Sequence, residues 1–380
     1  MWHYWGIYRH GGRRVGQFGL KATPHPIEVM NAFIESIGGE ERFYQNKDTA
    51  LPPTPTTLPP NSFTMPHSIQ KRKQIHRRKK YLNGRVKQLT HFKAKILATA
   101  NIIKLNHISL RDLRARFKPT HYTLHPAVLR REQNFTRYES HPSRPLLIYG
   151  SDGGLLACRI RLRNSNVATH LFRSIESLPP ITKKHRQRGI NRSEYEARHY
   201  GVWSPYSKKP FNTSEQRLDG LKAMEFLKSQ RSLWKEMSDL LGALAPGVFK
   251  DFCRYPIHGL QRACDAWAAC VINRGGNDPW STNIHRDVKE SQFGYSCIAS
   301  CGNYTKGDLI LWDLGIKVEL SHGDLFLFPD SLIHHSNEAA QGVRNSVVTF
   351  TQENMYDFWA REFGMKLKRK MKKNKKTDKS

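Results

Sequence analysis

The stretch from Ser281 to Asn354 constrains the fold more than any other part of the sequence. It contains the triplet His285-Arg-Asp287 and, 50 residues after His285, the residue His335 in the run His334-His335-Ser-Asn. Short apolar runs such as Tyr295-Ser-Cys-Ile-Ala and Leu325-Phe-Leu-Phe lie between them, separated by turns that contain Gly or Asn. This alternation is typical of a small antiparallel barrel or jelly roll, in which distant residues come together.

Two histidines and one carboxylate can occupy one face of an octahedral metal ion and leave its other positions open. Candidate ligands are therefore His285, Asp287 and a histidine of the His334-His335 pair. The triplet alone is a weak signal, because a chain with 18 histidines contains about one His-x-Asp by chance. A second triplet, His322-Gly-Asp324, lies at a predicted turn and has no third ligand at a comparable separation. We interpret it as a turn.

The region resembles Fe(II)/2-oxoglutarate-dependent dioxygenases, and more narrowly the TET-like (TET/J-binding-protein-type) oxygenases of basidiomycete fungi. The resemblance rests on His285-Arg-Asp287 and on the runs Gly307 to Leu314, Pro329 to Asn337 and Thr349 to Gln352, and it covers roughly residues 190 to 360. The expected fold class is α+β: a double-stranded β-helix core (jelly roll, cupin-like) flanked by helices, with disordered basic termini.

The resemblance also implies roles for individual residues. In that family the metal histidine directly precedes Ser-Asn, which selects His335 over His334. Fe(II) would then be held by His285, Asp287 and His335, which form the catalytic centre. An arginine about ten residues after the last histidine binds the distal carboxylate of the co-substrate 2-oxoglutarate, and Arg344 fits this position, with Ser346 on the same strand face two residues later. O2 is the second co-substrate.

The formal net charge of +30 favours nucleic acid, expected to be DNA, or another polyanion as partner. Together with the resemblance, it predicts oxidation of a methylated base. The run from Lys71 to Lys80 is a candidate nuclear import signal or nucleic-acid patch, the alternative being a solvated helix face, and we expect a nuclear location. The basic segment 181–192 is the best candidate for contacts to phosphates near the barrel.

Composition predicts four regions along the chain. Residues 1–80 are rich in proline and basic residues and are expected to be largely unfolded, and residues 81–140 form a helical basic region. The dioxygenase domain spans 141–362. A Lys-rich tail, 363–380, is expected to be disordered.

Apolar spacing predicts several individual elements. These are an amphipathic helix from Val86 to about Lys104, a short helix from Leu110 to Arg116, a hairpin from Leu146 to Leu162, and a helix from Leu218 to Leu244 whose apolar residues form core. His199 is interpreted as a packed strand residue, although contact with substrate is an alternative. Arg286, between two candidate ligands, is expected to point away from them.

The remaining sequence signals limit the class of protein. Six cysteines lack CxxC spacing, so we expect reduced thiols rather than a disulfide framework or a zinc site. No apolar run is long enough for a transmembrane helix, and the first residues do not form a signal peptide. The oligomeric state is not predicted.

Three functions remain open on the sequence alone. The first is an active dioxygenase on nucleic acid, and the second an active dioxygenase on a protein side chain or a metabolite. The third is a nucleic-acid-binding protein with an inactive oxygenase fold. The intact triad of His285, Asp287 and His335 favours the two active forms.

Overall fold

The structure is a computed structural model, and its described residues fall into several ranges: 67–119, 124, 129, 131–180, 196–204, 209–257, 260–275 and 281–365. All of them belong to a compact unit that starts at Met65. The proline-rich segment 1–66, the basic loop 181–192 and the tail 366–380 lie outside these ranges, so their predicted roles stay predictions.

The described residues include eight α-helices, thirteen strands and a short 3-10 helix at Glu132–Asn134. The helices are α1 (His67–Thr99), α2 (Leu110–Arg116), α3 (Ser165–Glu176), α4 (Ser214–Asp219), α5 (Leu221–Ser229), α6 (Arg231–Leu244), α7 (Pro246–Arg254) and α8 (Glu353–Phe363). The strands are β1 (Asn101–Leu105), β2 (Thr136–Tyr138), β3 (Leu146–Gly150), β4 (Leu155–Arg161), β5 (Glu196–Trp203), β6 (Phe211–Asn212), β7 (Ala269–Arg274), β8 (Ser296–Lys306), β9 (Leu309–Leu311), β10 (Ile316–Val318), β11 (Asp324–Phe328), β12 (His335–Asn337) and β13 (Ala340–Phe350).

The strands form two sheets. The large sheet has the order β1-β3-β4-β11-β8-β13-β7-β5-β6, and the small sheet has the order β12-β9-β10-β2. From β8 to β13 the chain alternates between them: β8, β11 and β13 lie in the large sheet, whereas β9, β10 and β12 lie in the small one. Two facing sheets connected in this way form a jelly roll. The predicted α+β class with a double-stranded β-helix core and flanking helices is confirmed.

The two faces of the large sheet have different neighbours. On β13, Val347 belongs to the core shared with the helices, whereas Val348 packs against a second core that includes Leu309 and Leu311 of the small sheet. Because side chains alternate along a strand, Arg344 and Ser346 share the face of Val348. They therefore point towards the small sheet, and the helices cover the opposite face.

The chain before residue 140 differs from its prediction. Helix α1 begins at His67, inside the segment expected to be unfolded, and ends at Thr99 rather than Lys104. Residues after it form β1, where Ile102 pairs with Leu147 in parallel register, and β2 joins the small sheet. Two strands that precede residue 140 thus belong to the same two sheets as the strands that follow it. Pairing of β-branched Ile102 and Ile103 with the sheet edge outweighs the helical spacing of the preceding residues.

The helix predicted from Leu218 to Leu244 is divided into α4, α5 and α6. Gly220 ends α4 with a positive φ of 52°, a conformation that favours glycine, and the chain changes direction there. As a result Leu218 and Leu221, predicted to be core, are 66% and 69% exposed. Leu240 in α6 is fully buried, as predicted.

Helix α1 is fixed to the helical layer by one face. Leu82, Leu89 and Ile96 are buried, and the helix contacts α6 and α7. Gly242 of α6 allows this close approach, because a Cβ atom there would lie 2.6 Å from Leu89 Cδ1. Arg85 forms ion pairs with Asp239 at 3.1 Å and Asp265 at 3.0 Å. Burial lowers the pKa of Arg85, but these two carboxylates outweigh burial and raise it.

Further sequence predictions concern the cysteines, His199 and membrane-spanning helices. All six cysteines are buried and carry free thiols. His199 is 5% exposed, its Nδ1 lies 3.2 Å from Glu215 Oε1, and its ring packs against Trp203, as expected of a packed strand residue. Across the described ranges, no helix has the length and apolar character needed to cross a membrane.

The docking of α1 can be measured with two leucines of the same helix. Leu89→Ala should lower the free energy of unfolding by about 2–4 kcal/mol, because it removes a buried side chain between α1 and α6. Leu97→Ala is the matched control; Leu97 is 38% exposed, and its loss should change the stability by no more than about 0.5 kcal/mol. Chemical denaturation of both variants gives the comparison. Equal effects would show that α1 is not docked.

Candidate metal centre

The site is built on a backbone pair between His285 and His335. The amide of His285 donates to the carbonyl of His335 at 3.0 Å, and the amide of His335 donates to the carbonyl of His285 at 2.9 Å. Residues that exchange both hydrogen bonds in an antiparallel pair stand directly opposite each other, with side chains on one face. Asp287 follows two positions later, and its amide donates to the carbonyl of Asp330 at 3.2 Å.

The side chains of these three residues converge. One ligand atom from each of His285, Asp287 and His335 lies within 4.8 Å of the other two. His335 Nε2 is 3.8 Å from Asp287 Oδ2, and the two imidazole centroids are 4.3 Å apart. The rings of Phe328 and His335 are nearly perpendicular, and their centroids are 5.0 Å apart. The structure thus brings together the three residues that the sequence predicts as metal ligands.

Backbone carbonyls set the tautomer of both histidines. His285 Nδ1 lies 2.7 Å from the carbonyl oxygen of Asn283, and His335 Nδ1 lies 3.0 Å from that of Ile333. A carbonyl oxygen can only accept a hydrogen bond, so each Nδ1 carries the proton when the imidazole is neutral. The lone pair is then on Nε2, the atom that can bind a metal ion. Orienting hydrogen bonds of this kind are typical of metal-binding histidines.

The neighbouring residues point elsewhere. His334 Nδ1 lies 3.0 Å from Asp313 Oδ2, and the His334 amide donates to the same oxygen. The choice of His335 over His334 therefore agrees with the geometry. Arg286 is buried, donates to the carbonyl of Lys118 at 3.3 Å and lies over the Phe117 ring, as predicted for a residue that points away from the ligands.

The rejected triplet, His322-Gly-Asp324, is a turn that enters β11. Asp324 is 1% exposed and forms an ion pair with Arg161 at 3.1 Å. His322 Nδ1 accepts a hydrogen bond from the amide of Gly302. The interpretation as a turn is confirmed.

Two further carboxyl groups lie beside Asp287. Oxygen atoms of Asp287, Glu290 and Asp330 are all within 4.8 Å of one another. Burial, followed by the charge of Asp287, raises the pKa of Asp330 well above its ordinary value. Burial also raises the pKa of Glu290, with added contributions from Asp330 and Asp287. Three close carboxyl groups cannot all ionise without a counter-charge, so the metal-free protein retains a proton here.

Arg344 lies between the sheets with neutral partners. It is 2% exposed, and its Nη1 donates to the carbonyl of Gly307 at 2.8 Å. Its guanidinium also lies over the Tyr304 ring, 5.6 Å from the centroid. Gly307 makes room for it, because a Cβ atom there would be 3.2 Å from Nη1. Among the described residues, its contacts include no carboxylate and no member of the triad.

Ser346 is buried on the same face, two residues from Arg344. It pairs in register with Ser300 of β8 on one side and with Asn273 of β7 on the other. Asn273 Nδ2 donates to Ser346 Oγ at 3.3 Å. Arg344, Ser300, Ser346 and Asn273 therefore form a polar strip across the sheet face that looks towards the small sheet and His335.

The sequence reasoning missed Glu290, Asp330 and Asp313. Asp330 sits in the Pro-Asp-Ser turn after β11, two residues past Phe328, and nothing in its spacing relates it to Glu290. These groups meet because separate loops converge at the end of the barrel. A pattern along the chain does not carry that information.

No protein-family model and no curated protein matches the sequence. Among solved structures, "NgTET1 in complex with 5mC DNA" is similar at 14% sequence identity, with 61% of this chain and 92% of that chain covered and a TM-score of 0.43.

Two further solved structures are similar at lower scores. The prolyl hydroxylase from Trichoplax adhaerens, in complex with a hypoxia inducible factor peptide fragment, is 15% identical, covers 54% of this chain and 86% of its own, and has a TM-score of 0.34. A 2OG-Fe(II) oxygenase family oxidoreductase from Burkholderia pseudomallei is 9% identical. The match covers 66% of this chain and 94% of that chain, with a TM-score of 0.31. At these scores, the function must be inferred from the site itself.

The carboxyl cluster predicts how the metal-free protein responds to pH. Groups whose pKa rises on folding stabilise the fold below about pH 4, the ordinary range of carboxyl groups, and this stabilisation is lost as pH rises through the folded pKa. The Asp330→Asn variant should therefore lose less free energy of unfolding than wild type between about pH 5 and pH 8. Chemical denaturation of the metal-free proteins measures this difference.

The exposed Asp112, changed to Asn, is the control for removal of one acidic group. The free energy of unfolding of the Asp112→Asn variant should change with pH in the same way as that of wild type. If the Asp330→Asn profile also followed wild type, the cluster would not hold a proton near neutral pH.

Proposed function

We propose that this protein is an Fe(II)- and 2-oxoglutarate-dependent dioxygenase of the TET-like type that oxidises a methylated base in nucleic acid. The observation that carries the proposal is the convergence of His285, Asp287 and His335 at one end of a jelly roll. Two imidazoles and one carboxylate with open positions are the ligand set of non-haem Fe(II) oxygenases.

The chemistry of the donor atoms fits Fe(II). In the neutral tautomer that the carbonyls of Asn283 and Ile333 select, both histidines present Nε2 as the donor, and an ionised Asp287 would add one negative charge. The bound ion would keep a net positive charge and could therefore bind an anionic chelating co-substrate. The carbonyls of Asn283 and Ile333 fix the imidazole rings, and Phe328 covers one side of His335.

Arg344 would hold the distal carboxylate of 2-oxoglutarate. A buried cation whose partners are neutral leaves a charge that an anion can compensate. The guanidinium can donate two parallel hydrogen bonds to a carboxylate, which an ammonium cannot. Ser346, on the same face, can donate a further hydrogen bond.

Iron and 2-oxoglutarate, when bound, supply oxidation of a substrate C–H bond by O2, coupled to decarboxylation of 2-oxoglutarate to succinate and CO2. The contribution of the chain is to hold and orient these groups. His285, Asp287 and His335 fix one face of the ion, and Arg344 fixes the far end of the co-substrate. Phe326, Phe328 and Leu311 pack in the apolar core between the sheets beside His335, and this packing would keep water away from the bound groups.

The nucleic-acid substrate is supported by charge and by the sequence resemblance. The net charge is +30, and helix α1 contains no acidic residue. A base in a duplex would have to leave the stack to enter the space between the sheets. The nuclear location inferred from residues 71–80 belongs to the same proposal.

Succinate release tests the proposal. The iron-loaded full chain should form succinate from 2-oxoglutarate in step with oxidation of a methylated base, measured by mass spectrometry on methylated DNA and RNA. His335→Ala and Asp287→Asn should lose bound iron after anaerobic dialysis, because each removes a ligand. His334→Ala should keep it, because His334 contacts Asp313 instead.

The outcomes separate the three functions. Oxidation of a peptide or metabolite in place of a base would identify a different substrate. Iron binding without succinate release on any substrate, together with nucleic-acid binding, would identify an inactive fold. Iron retained by His335→Ala but lost by His334→Ala would reassign the third ligand.

Arg344→Lys tests the co-substrate site separately. The substitution keeps the charge but removes the fork of two donors, so affinity for 2-oxoglutarate should fall by about 1.5–3 kcal/mol, the contribution of one hydrogen bond to a charged group. Iron binding should be unchanged, because no ligand is altered. Titration of the iron-loaded protein with 2-oxoglutarate, followed by the absorption of the chelate, gives both values. Equal affinity in wild type and variant would show that another residue holds the carboxylate.

A further inference from the structure

Helix α1 has two opposite faces with different chemistry. Ile75, Leu82, Leu89 and Ile96 recur every seven residues, nearly two helical turns, and this seam packs on the helical layer. On the opposite side, basic residues recur at intervals of three or four with Gly84 between them. We call this set the basic stripe: Lys73, Arg77, Lys80, Lys87, His91 and Lys95, all of them exposed.

The charge of α1 is not balanced within the helix. Its 33 residues include 11 Lys and Arg and no Asp or Glu. Like charges three or four residues apart destabilise a helix, and a surface helix ordinarily alternates them with acidic residues. Arg85 is neutralised by Asp239 and Asp265, but it lies on the buried side. The stripe thus keeps an unfavourable charge pattern that a polyanion would relieve.

Gly84 interrupts the stripe where packing does not require glycine. Among the described residues, nothing lies within 4 Å of the position of a Cβ atom at Gly84. Glycine in a helix interior is less favourable than alanine, so it lowers the stability of α1 at this position. The missing side chain lets a ligand backbone approach the helix between Lys80 and Lys87.

The stripe lies on the far side of the molecule from the metal centre. The helices, α1 included, pack on the face of the large sheet that carries Val347, whereas His335 faces the other side. Helix α1 packs on α6 and α7, and its C-terminal end leads through Ala100 into β1 at the edge of the large sheet. With layer spacings of about 8–10 Å, the middle of the stripe, near Lys87, is roughly 25–30 Å from the core between the sheets.

We propose that the basic stripe of α1 binds the phosphate backbone of a polynucleotide at a surface separate from the oxygenase site. This inference deepens the proposed function and rests on its nucleic-acid substrate. The stripe spans about 33 Å, close to one turn of B-DNA, and its cations can replace condensed counterions along it. The contacts are to phosphates, so they hold the strand without reading its sequence.

A membrane surface fits the stripe less well. Helices that lie on membranes bury their apolar face in the lipid. In α1 that face is already buried against α6 and α7, with Leu82 at 2% and Ile96 at 4% exposed. Only the charged side is available, as binding to a phosphate backbone requires.

The test compares two variants of equal charge. The stripe variant is Lys80→Gln, Lys87→Gln, Lys95→Gln, and the control variant is Lys104→Gln, Lys222→Gln, Lys228→Gln, which changes three exposed lysines elsewhere. Both are full chains without iron, and binding to a labelled 60-base-pair DNA and a 60-nucleotide RNA is measured by fluorescence anisotropy across a salt series. The plot of log K against log salt has a negative slope, and for the stripe variant on DNA this slope should become shallower by about 2 to 3.

The control variant should keep nearly the wild-type slope and affinity. An equal loss in both variants would overturn the proposal, because it would show a diffuse effect of net charge. Equal affinity of stripe variant and wild type would overturn it as well. Binding to vesicles with anionic lipid that matches binding to DNA and is lost in the stripe variant would identify a membrane surface instead. The DNA and RNA arms show which polynucleotide is held.

Turnover distinguishes a separate surface from part of the active site. For a tetranucleotide substrate, too short to reach both surfaces, kcat and KM of the stripe variant should equal those of wild type. For a 60-base-pair substrate, KM should rise and kcat should stay unchanged. A raised KM for the tetranucleotide would place the stripe in the active site and overturn the separation. Because binding is measured without iron, the result of the binding test does not depend on whether the protein has dioxygenase activity.

Discussion

The reciprocal backbone hydrogen bonds between His285 and His335 are the constraint on which the site depends. They join the segment after β7 to β12 and force two imidazoles onto one face. The same extended geometry directs Asp287 to that face and Arg286 to the other. The carbonyls of Asn283 and Ile333 then leave both Nε2 atoms as donors. Most of the metal centre therefore follows from backbone pairing, and side-chain packing only refines it.

The interior of the jelly roll concentrates buried charge, which opposes folding. Arg344 lies among neutral groups, and Glu290 and Asp330 crowd against Asp287. Each of these groups loses hydration that its protein partners only partly replace. The surrounding apolar cores, which contain Trp267, Phe252 and Phe326, provide the stability that tolerates them. Bound cation and dianion would compensate both sets of charges, so occupancy of the site and stability of the fold are coupled.

The sequence predicts the parts of this structure that are local. The strands between Asp287 and His335 and the hairpin before Leu162 follow from spacing and neighbouring residues, whereas the choice of His335 over His334 rests on the family resemblance. The start of α1 does not, because proline-rich and basic composition conceals the seven-residue seam through Ile75. The break at Gly220 needs the positive φ that only the folded chain reveals. Glu290 and Asp330 meet through tertiary convergence of loops, for which no pattern along the chain exists.

The two charged features of the molecule have opposite requirements. In the proposed function Arg344 has to be shielded from water, because a carboxylate would be bound strongly and in one orientation only where solvent is excluded. The basic stripe must remain in water, because binding to phosphates gains free energy by releasing ions into it. The large sheet and the helical layer keep the two environments apart. A surface that holds the strand loosely and in a salt-dependent manner lets the protein move along it, whereas the interior commits only to a group that fits between the sheets.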